Sequence, residues 1–154
     1  MEKITLTKAG EENLRRQIEE KKAELHRLGI YKGSAAENEG DAWHDNFAFE
    51  QTEIKERGLI HEISELERKL SIAEIVNVKE VNKNVATIGS KVTVNMKFND
   101  EESEEITFLL VGDFEGETSI NSPMGKCING KQVGFKGKYK VNENIVSVEL
   151  LKIE

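Results

Sequence analysis

The sequence predicts an α+β protein, with an N-terminal antiparallel α-helical coiled-coil hairpin followed by a small β-rich domain. Three observations predict it. Apolar residues recur at heptad spacing in two separate runs of the first half. A segment containing Gly and Asp, without that spacing, separates the two runs. Beyond Ile75 the texture changes to β-branched alternation.

The first helix is expected from Glu11 to about Leu28, a stretch free of Gly and Pro in which Leu14, Ile18, Leu25 and Leu28 stand 4, 7 and 3 residues apart. In the second run Leu59, Ile63, Leu66, Leu70 and Ala73 follow at steps of 4, 3, 4 and 3. One narrow stripe needs a partner helix, and two such stripes in one chain satisfy each other. A monomeric hairpin is therefore expected, with a dimerising coiled coil as the alternative. Lys21 interrupts the first stripe, while Glu56 and Thr52 extend the second, so the seam should weaken toward the connection. Arms of about 25 to 30 residues at ~1.5 Å per residue reach roughly 40 Å, more than a compact domain requires. The connecting segment, Lys32 to Phe49, contains Gly33, Ser34, Gly40 and the run Asp41-Ala42-Trp43-His44-Asp45-Asn46-Phe47, which places an acidic hairpin tip near 40–49.

Strands are expected at Val76–Val78, Lys91–Val94, Ile106–Val111, Gly137–Val141 and Ile145–Leu151. Asn99-Asp100 and Asn142-Glu143-Asn144 are turn signals, and the acidic run from Glu101 to Glu105 is expected to be a solvated face. Pro123, the only proline, opens a short helical turn that Gly130 closes. These assignments divide the chain into 1–76 and 77–154, with the boundary between Ile75 and Val81.

Lys and Arg total 22 against 29 Asp and Glu, a net charge of −7, and both halves are acidic. Such a chain gains no general counterion-release drive toward free DNA, so autonomous DNA binding is not expected. The single cysteine, Cys127, excludes an internal disulfide and a cysteine zinc site and suits a reducing cytoplasm. The N-terminus lacks a signal-peptide pattern, and no stretch approaches the ~20 apolar residues of a membrane span.

The tip holds the residues with chemical potential. Asp41 and Asp45 are four residues apart, on one face if the backbone is helical. One or two carboxylates on a stiff arm suffice to complete a Mg²⁺ site whose other ligands come from elsewhere. The plainer reading is helix capping. Trp43 and His44 offer a stacking plate and a titratable donor to RNA; alternatively Trp43, Phe47 and Phe49 pack to close the hairpin. Arg15, Arg16, Lys21, Lys22 and Arg27 balance Glu19, Glu20 and Glu24 on a solvated face, or line an RNA-facing groove as a family resemblance would imply. Lys131, Lys136, Lys138 and Lys140 read as the outward side of a β-hairpin.

Several strings resemble the GreA/GreB transcript-cleavage factors of bacteria. They are Thr7-x-x-Gly10-x-x-x-Leu14, the tip Gly40-Asp41 with Asp45-Asn46-x-x-Phe49, Gly89-Ser90-x-Val92-x-Val94, Val111-Gly112-Asp113, and Ile120-Asn-Ser-Pro-Met-Gly-Lys-x-Ile-x-Gly-Lys131. The resemblance implies an FKBP-like C-terminal domain that docks on bacterial RNA polymerase around Asn121 and Pro123. It implies a coiled coil entering the secondary channel, where Asp41 and Asp45 act in trans on the polymerase's Mg²⁺ during cleavage of backtracked RNA. Trp43, His44, Asn46 and Phe49 would contact the nascent RNA 3′ end or the polymerase. The factor itself would be no enzyme and would hold no cofactor. The tip departs from the family pattern Gly-Asp-x-x-Glu-Asn-x-x-Tyr by one extra residue, a shorter second carboxylate and Phe49 for Tyr. One extra helical residue rotates a side chain by ~100°, which keeps a second reading open, a non-cleaving occupant of the channel. A third, a prolyl isomerase or chaperone module, follows only from the implied fold.

Overall fold

The computed structural model describes residues 4–38, 47–78, 83–99 and 102–154. They form two compact units, one of Glu12–Ile72 and one of Met1–Glu11 with Ala73–Glu154. This partition is drawn differently from 1–76 and 77–154. Strand β1 (Thr5–Leu6) pairs in parallel with β2 (Glu74–Ile75), so the N-terminal residues are built into the β unit.

The helical unit consists of α1 (Lys8–Asn38) and α2 (Phe47–Ile72). At ~1.5 Å per residue their 31 and 26 residues give about 46 and 39 Å. Leu14, Ile18, Leu59 and Ile63 are buried at the seam, while Leu25, Leu28, Leu66 and Leu70 are half-buried. Helix α1 runs on through Gly33 and Ser34, which the sequence placed in the connection. A Cβ at Gly33 would meet nothing, so that glycine costs the helix about 1 kcal/mol relative to Ala without a steric conflict.

Toward the tip the seam becomes polar, as the interrupted stripe predicts. Thr52 is buried, and Lys32 Nζ donates across the hairpin to Glu53 Oε1 at 3.1 Å and Glu56 Oε2 at 2.9 Å. Lys21, the break in the first stripe, pairs with Glu62. Lys22 pairs with Glu67 at 2.8 Å, and Lys55 with Glu24 at 2.9 Å. These cross-hairpin pairs fix helix register where apolar contact is thin. They also give Lys21 and Lys22 partners on the second arm.

The β unit contains β3 (Lys91–Phe98), β4 (Glu104–Val111), β5 (Thr118–Ser119), the short helix α3 (Pro123–Ile128), β6 (Lys136–Val141) and β7 (Asn144–Ile153). The sheet order is β5-β4-β3-β7-β6, antiparallel except for the β4–β5 pair. Alternation buries Val92, Val94 and Met96 of β3 against Val146, Val148 and Leu150 of β7, with Ile128 of α3 in the same core. A register shift between Thr93 and Val94 lets Ile153 also face inward.

Val76–Val78, expected as a strand, is not one. The ladder ends after Glu74 N donates to Ile4 O and Val76 N to Leu6 O, because β1 gives way to α1 at Lys8 and leaves no partner backbone. Among the described residues no helix is long and apolar enough to cross a membrane.

Candidate functional site

The Ser-Pro loop is assembled around one carboxylate. Strand β4 delivers Gly112 and Asp113 beside β1, so closely that a Cβ on Gly112 would lie 2.9 Å from Thr5 O. Asp113 Oδ2 accepts from Thr5 N at 2.9 Å and from the Asn121 amide at 2.6 Å, and Asp113 Oδ1 accepts from the Ser119 hydroxyl. Asp113 N in turn donates to Thr5 O at 2.7 Å. The neighbouring Glu115 accepts from the Thr7 hydroxyl at 2.5 Å and from Gly112 N at 3.1 Å. Thr7 meanwhile caps α1, its Oγ1 accepting from Gly10 N at 3.2 Å. Two acidic residues thus tie the start of the chain to the loop after β4.

Beyond Asp113, Ser122 caps α3. Its hydroxyl accepts from Gly125 N at 2.9 Å and donates to Ser119 O at 2.6 Å, with Pro123 at the first helical position. Gly125 is required by proximity, since a Cβ there would stand 2.0 Å from Ser119 O. The result presents Pro123 to solvent beside an open groove of about 400 Å³ lined by Glu117, Thr118, Ser119, Ser122, Pro123, Met124, Tyr139 and Val141. Burial pushes the Tyr139 hydroxyl above its ordinary pKa, and the Cys127 thiol likewise. Cys127 is half-buried against the core.

Of the two docking residues expected here, Pro123 is exposed, while Asn121 turns its amide onto Asp113 and shapes the loop from within. Sequence reasoning named Thr7 and Asp113 only within resembling strings, not their roles here, and missed Thr5 and Glu115. A carboxylate straight after a glycine at the end of an apolar strand is the available signal, but it does not specify distant partners.

At the hairpin, Asp41, Trp43, His44, Asp45 and Asn46 lie outside the described residues. Phe49 sits in the first turn of α2, half-buried beneath Lys32 Nζ at 5.1 Å from its ring centroid, so that it braces the Lys32 bridge to Glu53 and Glu56. Phe47 is 73% exposed, and Ile30, Tyr31 and Ile54 are also exposed on the same half of the hairpin. Among the described residues no group of three or more His, Cys, Asp or Glu is placed to hold a metal ion.

The chain thus combines a helical hairpin held by cross-hairpin ion pairs with a sheet unit that carries a capped, solvent-facing loop, an α+β architecture. Comparison with known proteins identifies its family. A domain described as transcription elongation factor, GreA/GreB, C-term matches residues 81–154. GreA of Chloroherpeton thalassium is 31% identical over 158 residues, covering 99% of this chain and 98% of the relative. GreA of Streptococcus sanguinis is 30% identical, covering 97% and 94%. Among solved structures, GreA factor homolog 1 of Thermus thermophilus is 22% identical with a TM-score of 0.44, covering 99% of each chain. The chain belongs to the GreA/GreB family of transcription elongation factors.

Proposed function

We propose that this factor binds bacterial RNA polymerase, inserts its coiled coil into the secondary channel and stimulates cleavage of backtracked RNA without being the enzyme. The observation that carries this reading is the arm itself. Two helices of 31 and 26 residues, clamped by Lys21–Glu62, Lys22–Glu67, Glu24–Lys55 and the Lys32 bridge, form a stiff rod with an acidic sequence at its turn. A compact fold has no need of such a rod, whereas delivery of Asp41 and Asp45 to a remote centre does.

At that centre Asp41 and Asp45 would supply carboxylate oxygens to the polymerase's Mg²⁺. Such an ion would supply water activation and neutralisation of phosphoryl charge, while the two carboxylates hold it. The exposed apolar residues Ile30, Tyr31, Phe47 and Ile54 contact the channel wall, and Pro123 with its groove docks at the rim. The FKBP-like character and cytoplasmic location belong to the same reading. An isomerase pocket gains little support, because the groove of about 520 Å³ on the sheet face has no aromatic lining residue and the groove beside Pro123 has Tyr139 alone.

The altered tip favours one alternative, occupation of the channel without cleavage. Single-turnover cleavage in backtracked complexes with the cognate polymerase separates the two. Stimulation by the wild type that disappears in the Asp41→Ala, Asp45→Ala double variant supports cleavage. Binding that suppresses intrinsic cleavage supports occupancy, and no binding at all refutes both. Pro123→Ala should weaken binding without lowering the melting temperature.

A further inference from the structure

The outer face of the sheet carries an arrangement that the transcription reading leaves unused. Cross-strand register puts Lys97 of β3 opposite Ser147 of β7, and Ser147 opposite Lys138 of β6. Three adjacent strands thus present a Lys–Ser–Lys row, with the two lysine Cα atoms about 10 Å apart from two strand spacings of ~4.8 Å. The neighbouring row runs Glu105, Asn95, Glu149, Lys136 across β4, β3, β7 and β6, and there Lys136 Nζ pairs with Glu149 Oε1 at 3.2 Å. All belong to the face opposite the core, since Val94, Met96, Val146 and Val148 alternate with them and are buried.

The β3, β7 and β6 members of the rows are the floor of an open groove of about 520 Å³, also lined by Ser103. That volume falls in the range of small-molecule sites, ~300–1,000 Å³. Three lysines against one glutamate line this groove, on a chain whose net charge is −7. Glu149 is already engaged by Lys136, and the Lys97 and Lys138 ammoniums, the Ser147 hydroxyl and the Asn95 amide supply donors at neighbouring positions of the same face. Donors of that kind suit tetrahedral phosphate oxygens.

We propose that the groove centred on Lys97, Ser147 and Lys138 binds a compact oligophosphate anion, a linear diphosphate or triphosphate group. The surroundings favour a short anion over a nucleic-acid strand. Glu102, Glu104 and Glu105 are exposed on the β4 side and Glu143 at the β6–β7 turn, so a long polyanion crossing the groove would run over like charge. A compact group meets only the groove.

The test uses the full chain and tripolyphosphate, with calorimetry for affinity and amide chemical shifts for location, in the absence of polymerase. A negative result therefore leaves the transcription reading untouched. Saturable binding with shifts at Lys97, Lys138 and Ser147 is expected. Affinity should fall at least about tenfold in Lys97→Gln, Lys138→Gln and several-fold in Ser147→Ala, while Lys126→Gln, outside the groove, changes nothing. Circular dichroism confirms that each variant is folded. No saturable binding, equal affinity in the double variant, equal affinity for citrate, or tighter binding of a single-stranded oligonucleotide would each overturn the proposal.

Discussion

Truncating Leu59 to Ala should unclamp the arm. Leu59 is 6% exposed and opens the apolar stripe of α2, with Ile63 one turn on. Buried Leu→Ala changes cost about 2–5 kcal/mol, the lower half applying where neighbours can collapse, as along a two-helix seam; about 3 kcal/mol is expected. For a unit of this size 1 kcal/mol moves the midpoint by ~4–8 °C, so helix melting followed by far-UV circular dichroism should shift down by about 12–24 °C. Leu66 is half-buried, and Leu66→Ala should shift it by about half as much. Ile60, next in sequence but 51% exposed, supplies the control, with an effect within about 0.5 kcal/mol. RNA cleavage should fall in the order of the melting shifts. Equal midpoints for Leu59→Ala and Ile60→Ala would refute the seam.

The hairpin's ion pairs predict a plateau of stability in pH. Glu24 titrates below its ordinary 4.5, chiefly through its hydrogen bond with Lys55, so its contribution is complete above 4.5 and disappears as pH falls through the folded-state value. Lys21, Lys22 and Lys32 are raised above 10.5 by Glu62, Glu67 and Glu56 with Glu53, so theirs is complete below 10.5 and lost as pH rises past the folded-state values. Helix melting against pH should therefore fall off on both sides, and a midpoint insensitive to acid would contradict the Glu24–Lys55 pair. Gly125→Ala forces a Cβ to within 2.0 Å of Ser119 O and should cost about 2–3 kcal/mol, measured by denaturant unfolding of the β unit. Asp113→Asn leaves one carbonyl oxygen where two accepted three hydrogen bonds, and should cost about 2 kcal/mol while weakening polymerase binding. Unchanged affinity at that position would separate the loop from docking.

Much of the architecture is legible in the sequence because it is periodic. The heptad steps at Leu59 and Ile63 announce the seam, and the alternation at Val92, Val94, Val146 and Val148 announces the sheet's inner face. Pro123 and Gly130 bracket a helix that forms at Pro123–Ile128, and Lys136, Lys138 and Lys140 lie on the exposed side of β6 as expected. What escapes is non-periodic or distant. β1 and β2 have two residues each and leave no pattern, and their pairing joins positions far apart in the chain. Gly33 reads as a break, yet seam contacts and continuing helix-formers carry α1 past it to Asn38. Asp113 and Thr5 are 108 residues apart, and only folding reveals that one carboxylate orders both the chain's start and the Ser-Pro loop.

Asp41 and Asp45 are proposed to help hold Mg²⁺ for RNA cleavage inside the polymerase. The direct measurement is the Mg²⁺ dependence of cleavage in backtracked complexes, with and without the factor. The account predicts that the wild-type factor lowers the half-saturating Mg²⁺ concentration several-fold and that Asp41→Asn, Asp45→Asn abolishes this shift while binding persists. A half-saturating concentration unchanged by the bound factor would contradict it.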